Sequence, residues 1–190
     1  MTKAALRKHY REKRLLLGDH GRNRMDDLLL INFQQWEIPD HVQTVLSYWP
    51  IKENGEVNTF LVTDFMEFRI PGMQLCYPVS DFRHNHLQPV AVNDDTNYKR
   101  SEFGIAEPVD GQPVPVHEID MVIVPLLAFD LKGYRLGYGR GFYDRFLATC
   151  RPDVIRVGFS YFEPEPALPG IDQYDIPLSA CITPEQIYEF

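Results

Sequence analysis

The segment GYRLGYGRGFYDRFL, residues 133–147, interleaves four glycines, Gly133, Gly137, Gly139 and Gly141, with Arg135, Arg140 and Arg145. Glycines let a backbone turn its N–H groups toward an anion, and without a Cβ they allow close approach. Arg135 and Arg140 can add forked, charge-assisted hydrogen bonds to phosphate oxygens. A helix predicted from about Phe142 would present unsatisfied N–H donors and a partial positive charge to the same spot. A plain strand-to-helix turn needs none of this cationic content, so the segment reads as a phosphate site. Spacing alone does not name the nucleotide: the run is G-x-G-x-G, neither G-x-x-x-x-G-K-[ST] nor G-x-G-x-x-G.

Asp144 falls in the first turn of that helix. A carboxylate facing phosphates is repulsive unless a cation lies between, and Mg²⁺ takes one or two carboxylates together with phosphate oxygens. The alternative is an acid that complements the helix dipole. Asp175, in QYDIPL, is equally open to a turn role, and Glu56, in NGEVNT, to that of an exposed loop acid. The HNH run at His84–His86 has metal-ligand residue types, but a hydrated loop accounts for it. Tyr48 and Trp49 fit a hydrophobic core. Cys76, Cys150 and Cys181 match no metal or redox spacing and read as buried thiols in a reducing compartment.

The elements that must position these groups are legible in outline. Residues 2–17 have helical composition, with Lys3 and Arg7 four apart on one face. A second helix is expected over Asn23–Trp36 and a third from Asn58 or Thr59 to about Ile70. Strands are expected at 44–50, 72–79, near 87–92, at 121–130, 154–160 and 180–183. Residues 108–117 form a Pro-rich loop, and a helix is expected over 142–150. Helices alternating with short apolar strands indicate an α/β domain with a mainly parallel central sheet flanked by helices. The 190 residues fit one domain, 1–190. In such sheets ligands bind beyond the carboxyl ends of the strands, where the glycine segment falls, directly after the most apolar strand.

Composition bounds the function class. The chain is 44% hydrophobic and 24% charged, as expected of a globular protein, and its net charge of −8 argues against broad nucleic-acid binding. Apolar runs are too short to span a bilayer, and the charged N-terminal segment lacks a signal-peptide core, so a cytoplasmic protein is expected. Charge is uneven, however: residues 2–17 carry +5 and the rest −13. That basic helix is open to three readings: a solvated face, an RNA-binding arm or a local anion clamp.

Several segments together resemble the 5-formyltetrahydrofolate cyclo-ligase family, also called methenyltetrahydrofolate synthetases. They are K-x-x-L-R at Lys3–Arg7, E-x-x-T at Glu56–Thr59, FGIAEP at 103–108, VPLLAFDLKGYRLGYGRGFYDRFL at 124–147, D-x-P-L at Asp175 and the terminal CIT. They stand in family order over nearly the whole chain. The resemblance implies a three-layer, Rossmann-like domain related to the sugar-phosphate isomerase and CoA-transferase type. It further implies an enzyme that uses ATP and Mg²⁺ to convert 5-formyltetrahydrofolate, with or without a polyglutamate tail, to 5,10-methenyltetrahydrofolate, giving ADP and phosphate. A monomer without nucleic-acid or membrane partners is expected.

By the same resemblance Lys3, Ala4, Ala5, Leu6 and Arg7, with Arg135, Leu136, Gly137, Tyr138, Gly139, Arg140, Gly141, Phe142 and Tyr143, form the ATP site. Asp144 and Asp175 match the Mg²⁺ ligands. Glu56 and Ile51 match folate contacts, and Tyr48, Trp49, Phe103 and Tyr143 are candidates for the flat wall a pterin needs. Glu56, Arg135 and Tyr143 are the candidate catalytic groups. The chain departs from the family pattern at Phe142, often Tyr, and at Gln173–Tyr174, more usually an acidic-His pair. Two other readings compete: a sugar-phosphate isomerase-like enzyme, which would need no nucleotide, and a non-catalytic metabolite sensor. The presence of both acids expected to hold Mg²⁺ and the lack of a spare DNA-binding segment weigh against a sensor.

Overall fold

A computed structural model describes residues 1–101 and 104–190. Two helices open the chain, α1 (Lys3–Leu16) and α2 (Gly18–Gln35). Then come β1 (Thr44–Leu46), α3 (Thr59–Arg69), β2 (Gln74–Asp81), β3 (His86–Ala91), and a hairpin of β4 (Tyr98–Arg100) with β5 (Ala106–Pro108). β6 (Met121–Val124) is followed by a second hairpin, β7 (Ala128–Phe129) with β8 (Arg135–Leu136), and by α4 (Phe142–Leu147). β9 (Ile155–Phe159), β10 (Ala180–Ile182) and β11 (Ile187–Glu189) complete the chain.

Seven strands form the main sheet in the order β11-β10-β9-β6-β1-β2-β3. The five inner strands run parallel, and β3 and β11 are antiparallel edges. The chain leaves β1 toward β2 and later returns to its other side with β6. The direction of winding therefore reverses between β1 and β6, which is where such sheets open a crevice.

Strand alternation sorts the core into two layers. Val45, Met121, Ile123, Val157 and Phe159 face α2 and α3, packing on Leu29, Phe33, Val62 and Met66. Leu46, Val122, Val124 and Cys181 face the other way, toward Phe129, Phe146 and Leu147. A third cluster joins Leu6 and Tyr10 of α1 to Leu127, Ala128 and Leu136 of the β7–β8 hairpin. The three-layer α/β expectation holds.

Some boundaries differ from the sequence reading. The apolar run 121–130 is two strands rather than one. Proline at 125 lacks the N–H that a central parallel strand needs, and the run stays apolar because Leu126–Phe129 is buried at a second site. α2 starts directly after α1 rather than at Asn23, and α4 ends at Leu147. The β4–β5 hairpin and β11 are additional. Cys76 and Cys181 are buried free thiols, whereas Cys150 is half-buried.

Candidate active site

A cavity of about 480 Å³ opens at the carboxyl ends of β1, β2 and β6. Tyr48 and Trp49 enter it after β1, Pro78 and Ser80 from β2, and Pro125 after β6. The glycine segment closes one side: Gly137, Gly139 and Gly141 line the cavity, with Leu136, Tyr138, Arg140, Phe142 and Tyr143 among them. Gly133 does not reach it. It turns the β7–β8 hairpin, donating to Asp130, and lies against the Phe190 ring.

Helix α1 grips this loop along one face. Arg7 donates from Nε to the Gly137 carbonyl at 2.9 Å. One turn on, Arg11 lies over the Tyr138 ring at 5.5 Å, and Arg14 donates to the Tyr138 hydroxyl at 3.1 Å. The basic helix is thus a clamp on the glycine segment. Gly139 is held at φ +98°, and a Cβ there would come within 3.1 Å of the Arg7 guanidinium carbon, so both conformation and contact call for glycine. Of the N-terminal motif, Lys3 and Arg7 line the cavity, while Ala4 and Ala5 face solvent and Leu6 is core. Helical spacing sends those three side chains to other faces.

Arg135, 8% exposed, lines the cavity and also uses its fork on the protein. Nη2 pairs with Asp144 Oδ1 at 2.8 Å, and Nη1 donates to the Ile176 carbonyl. The Ile176 N–H donates to the same Asp144 oxygen at 3.1 Å. Asp175, one residue earlier, pairs with Lys3 at 3.2 Å and accepts the Asp172 N–H at 2.9 Å through Oδ2. Both carboxylates line the cavity. Among the described residues, Asp144 Oδ2 and Asp175 Oδ1 have no hydrogen-bond partner. Among the described residues no three His, Cys, Asp or Glu converge as an all-protein metal cage would require. Two carboxylates with free oxygens are the donor set that Mg²⁺ takes when phosphate and water complete its shell.

Glu56 is neither an exposed loop acid nor a helix cap. It is 9% exposed; Oε2 accepts the Ile51 N–H at 2.7 Å, and Oε1 accepts the Tyr138 hydroxyl in a short hydrogen bond. Burial raises its pKa, opposed by those two bonds and by the Arg14 charge. Ile51 and Glu56 thus close one small loop, in which Ile51 also lines the cavity. Tyr48 and Tyr143 have pKa values driven up by burial and by the Glu56 charge. Trp49 is steadied edge-on by Phe60 at 4.9 Å and packs on Tyr98 at 4.8 Å, which fixes an aromatic wall. Phe103 lies outside the described residues.

Sequence reasoning missed the opposite wall, made by Ser80, Phe82, Leu87, Ile105 and Ala106. Glu107 explains part of the FGIAEP motif: its buried carboxylate accepts the Ser80 N–H at 2.9 Å, pinning the β4–β5 hairpin to β2. It also missed Arg14, although Leu6, Tyr10 and Arg14 recur every four residues and a cation on a buried stripe is a signal. The HNH run spans the end of the β2–β3 turn and the first residue of β3, with the exposed His84 paired to Asp81 at 2.6 Å. Among the described residues no helix is long and apolar enough to cross a membrane.

A cation-and-glycine rim, two carboxylates with free oxygens and an aromatic wall meet at the switch point of a parallel sheet. Together they define an α/β protein built to bring an anionic group against a flat small molecule. Comparison with known proteins makes the class specific. Residues 2–182 match the family described as the 5-formyltetrahydrofolate cyclo-ligase family, and the chain belongs to that family. It is 42% identical over 130 residues, covering 66% of the chain and 68% of the relative, to a Haemophilus influenzae protein named 5-formyltetrahydrofolate cyclo-ligase. It is 29% identical over 189 residues to the Mycoplasma pneumoniae protein of that name, covering 97% of the chain and 100% of the relative. The solved structure of an Aquifex aeolicus 5,10-methenyltetrahydrofolate synthetase superposes with a TM-score of 0.80 at 32% identity, over 100% of this chain and 93% of that one.

Proposed function

We propose that the chain cyclises 5-formyltetrahydrofolate to 5,10-methenyltetrahydrofolate at the expense of ATP in the presence of Mg²⁺, residues 1–190 acting as one catalytic domain. The observation that carries this reading is one cavity lined by two unlike sets of groups. Glu56 and the aromatic Trp49 line it together with the glycine loop, Asp144 and Asp175, and the two sets meet where Tyr138 of the loop donates to Glu56. The substrate brings both nucleophiles. Its formyl oxygen attacks the γ-phosphorus and ADP leaves. N10 then attacks the formyl carbon and gives up its proton, the ring closes, and the formyl C–O bond breaks as hydrogen phosphate departs with that oxygen and proton.

The protein's task is to position the reactants and offset charge on the transferred phosphoryl group. Lys3, Arg7, Arg140 and the glycine segment line the cavity, and their cationic groups and amides would contact the phosphates. Asp144 and Asp175 would hold Mg²⁺, which when bound offsets phosphate charge, and Arg135 keeps Asp144 aimed. Glu56 can accept hydrogen bonds from the pterin and stabilise positive character at the formyl-bearing nitrogen and carbon.

The test is one absorbance measurement. Mixing protein, 5-formyltetrahydrofolate, Mg²⁺ and ATP should produce the methenyltetrahydrofolate band with ADP in equal amount. The band should be lost when ATP or Mg²⁺ is omitted. No band from folded protein with all components present would overturn the reading.

A further inference from the structure

Arg14 is 2% exposed, lies on the buried stripe of α1, and makes no direct ion pair among the described residues. One terminal nitrogen donates to the Leu126 carbonyl, the other to the Tyr138 hydroxyl at 3.1 Å, and Nε has no partner. A guanidinium cannot shed its proton, and burying one without a counter-charge is costly. The counter-charge lies one hydroxyl away. The Tyr138 hydroxyl in turn donates a hydrogen bond to Glu56 Oε1, so cation, phenol and carboxylate form a directed chain from α1 to the cavity.

We propose that Arg14 is a positioning residue for the acid in the cavity: through the Tyr138 hydroxyl it orients the Glu56 carboxylate and supplies its counter-charge. This deepens the proposed function and rests on it for the meaning of Glu56. Tyr138 belongs to the glycine segment, between Gly137 and Gly139, so the chain also ties the phosphate side of the cavity to the folate side. A disordered glycine segment would leave Glu56 with only the Ile51 N–H, and the acid is therefore complete only when the loop is closed on α1.

The other groups facing Glu56 do not substitute for Arg14. Tyr48 follows β1 and Tyr143 stands on α4; burial pushes both phenols, like Tyr138, above the ordinary range, so they stay neutral while Glu56 titrates. Behind it, the Tyr161 hydroxyl bridges the Glu56 backbone carbonyl and Asp26, whose own carboxyl is raised by burial. Arg14 is the cation whose charge favours ionised Glu56.

The test reads Glu56 itself. Ligand-free protein labelled with carbon-13 at the glutamate carboxyls is titrated by NMR, and the Glu56 signal is assigned by its loss in Glu56→Gln. In Arg14→Met, which keeps much of the packing, the Glu56 midpoint should rise by about one pH unit or more. Tyr138→Phe, which keeps the ring and removes the bridge, should raise it as well. Turnover at saturating substrates should fall about tenfold in Arg14→Met, with Arg14→Lys restoring part of both effects. An unmoved midpoint in folded Arg14→Met overturns the inference. If that variant does not fold, an unmoved midpoint in Tyr138→Phe does so. Because the titration needs no substrate, a wild type that fails to cyclise folate would overturn the proposed function separately.

Discussion

Arg135 and Asp144 meet at 2.8 Å in the wall of the cavity, and the guanidinium is the more deeply buried partner, with side-chain exposures of 5% and 29%. Their pairing makes Arg135 a support for the proposed metal ligand before it is a phosphate ligand. The ATP effect expected of Arg135→Ala therefore has a specific form. Loss of one charge-assisted contact of roughly 1.5–3 kcal/mol raises the MgATP dissociation constant about ten- to hundredfold. Folate affinity should change little. Calorimetry with metal-free ATP separates the routes: support through Asp144 leaves that affinity nearly unchanged, whereas direct phosphate contact lowers it equally. Arg135→Lys should not restore MgATP binding, since one ammonium cannot hold both Asp144 and the Ile176 carbonyl as the fork does.

Asp144→Asn preserves an oxygen for the Ile176 N–H but removes the charge facing the phosphates. Activity should fall steeply, with partial recovery at high Mg²⁺, while the far-UV dichroism spectrum stays that of the wild type. A magnesium titration of the rate is the measurement. Wild-type turnover at ordinary Mg²⁺ would return Asp144 to the role of an acid in the first turn of α4.

The sheet and helices were legible because Leu29 and Phe33 recur at helical spacing on α2 and the run Met121–Val124 is apolar throughout, as a strand buried on both faces requires. The cavity was legible at the glycine segment, where residue types themselves carry chemistry, and at Asp144, Asp175 and Glu56 through family resemblance. What escaped was set by tertiary contact. Nothing local says that Arg135 spends its fork on Asp144, or that Gly133 and Gly137 serve different structures. The β7–β8 hairpin hid inside a continuous apolar stretch, because a strand buried on both faces and a buried hairpin share one composition. Arg14 was masked by five other cations in α1, and only its place between Leu6 and Tyr10 on one side and the Tyr138 hydroxyl on the other distinguishes it.

Gly139 offers a test of the clamp between α1 and the loop. Alanine there is strained at φ +98° and sits against Arg7, so the loop must shift away from the helix. The expected result of Gly139→Ala is a loss of ATP affinity of about tenfold or more, corresponding to roughly 1–3 kcal/mol of strain released by local rearrangement. The denaturation midpoint should move little, because the shift is confined to the cavity rim. Unchanged nucleotide affinity would show that the loop conformation seen here is not the one that binds phosphate.

Glu56→Gln separates binding from catalysis. Glutamine can still accept the Ile51 N–H or the Tyr138 hydroxyl, so the small loop can persist, but the charge is gone. Burial raises the Glu56 pKa, which means the folded state holds this proton more tightly than the unfolded chain does. The sign follows: the contribution of Glu56 to stability is greatest below its unfolded pKa and is lost as pH rises through the folded value. At neutral pH, removing the charge should therefore leave the melting temperature unchanged or slightly higher. Activity runs the other way. If the carboxylate offsets positive character that builds at the formyl-bearing nitrogen and carbon, it favours the transition state over the ground state and lowers the barrier. Turnover at saturating substrates should fall at least about tenfold in Glu56→Gln, or ~1.4 kcal/mol, with ATP affinity nearly intact. The wild-type rate should decline on the acid side through a pKa above that of an ordinary glutamic acid, and this limb should vanish in Glu56→Gln. A normal turnover number with an unaltered acid limb would reduce Glu56 to a fastener for the Ile51 loop.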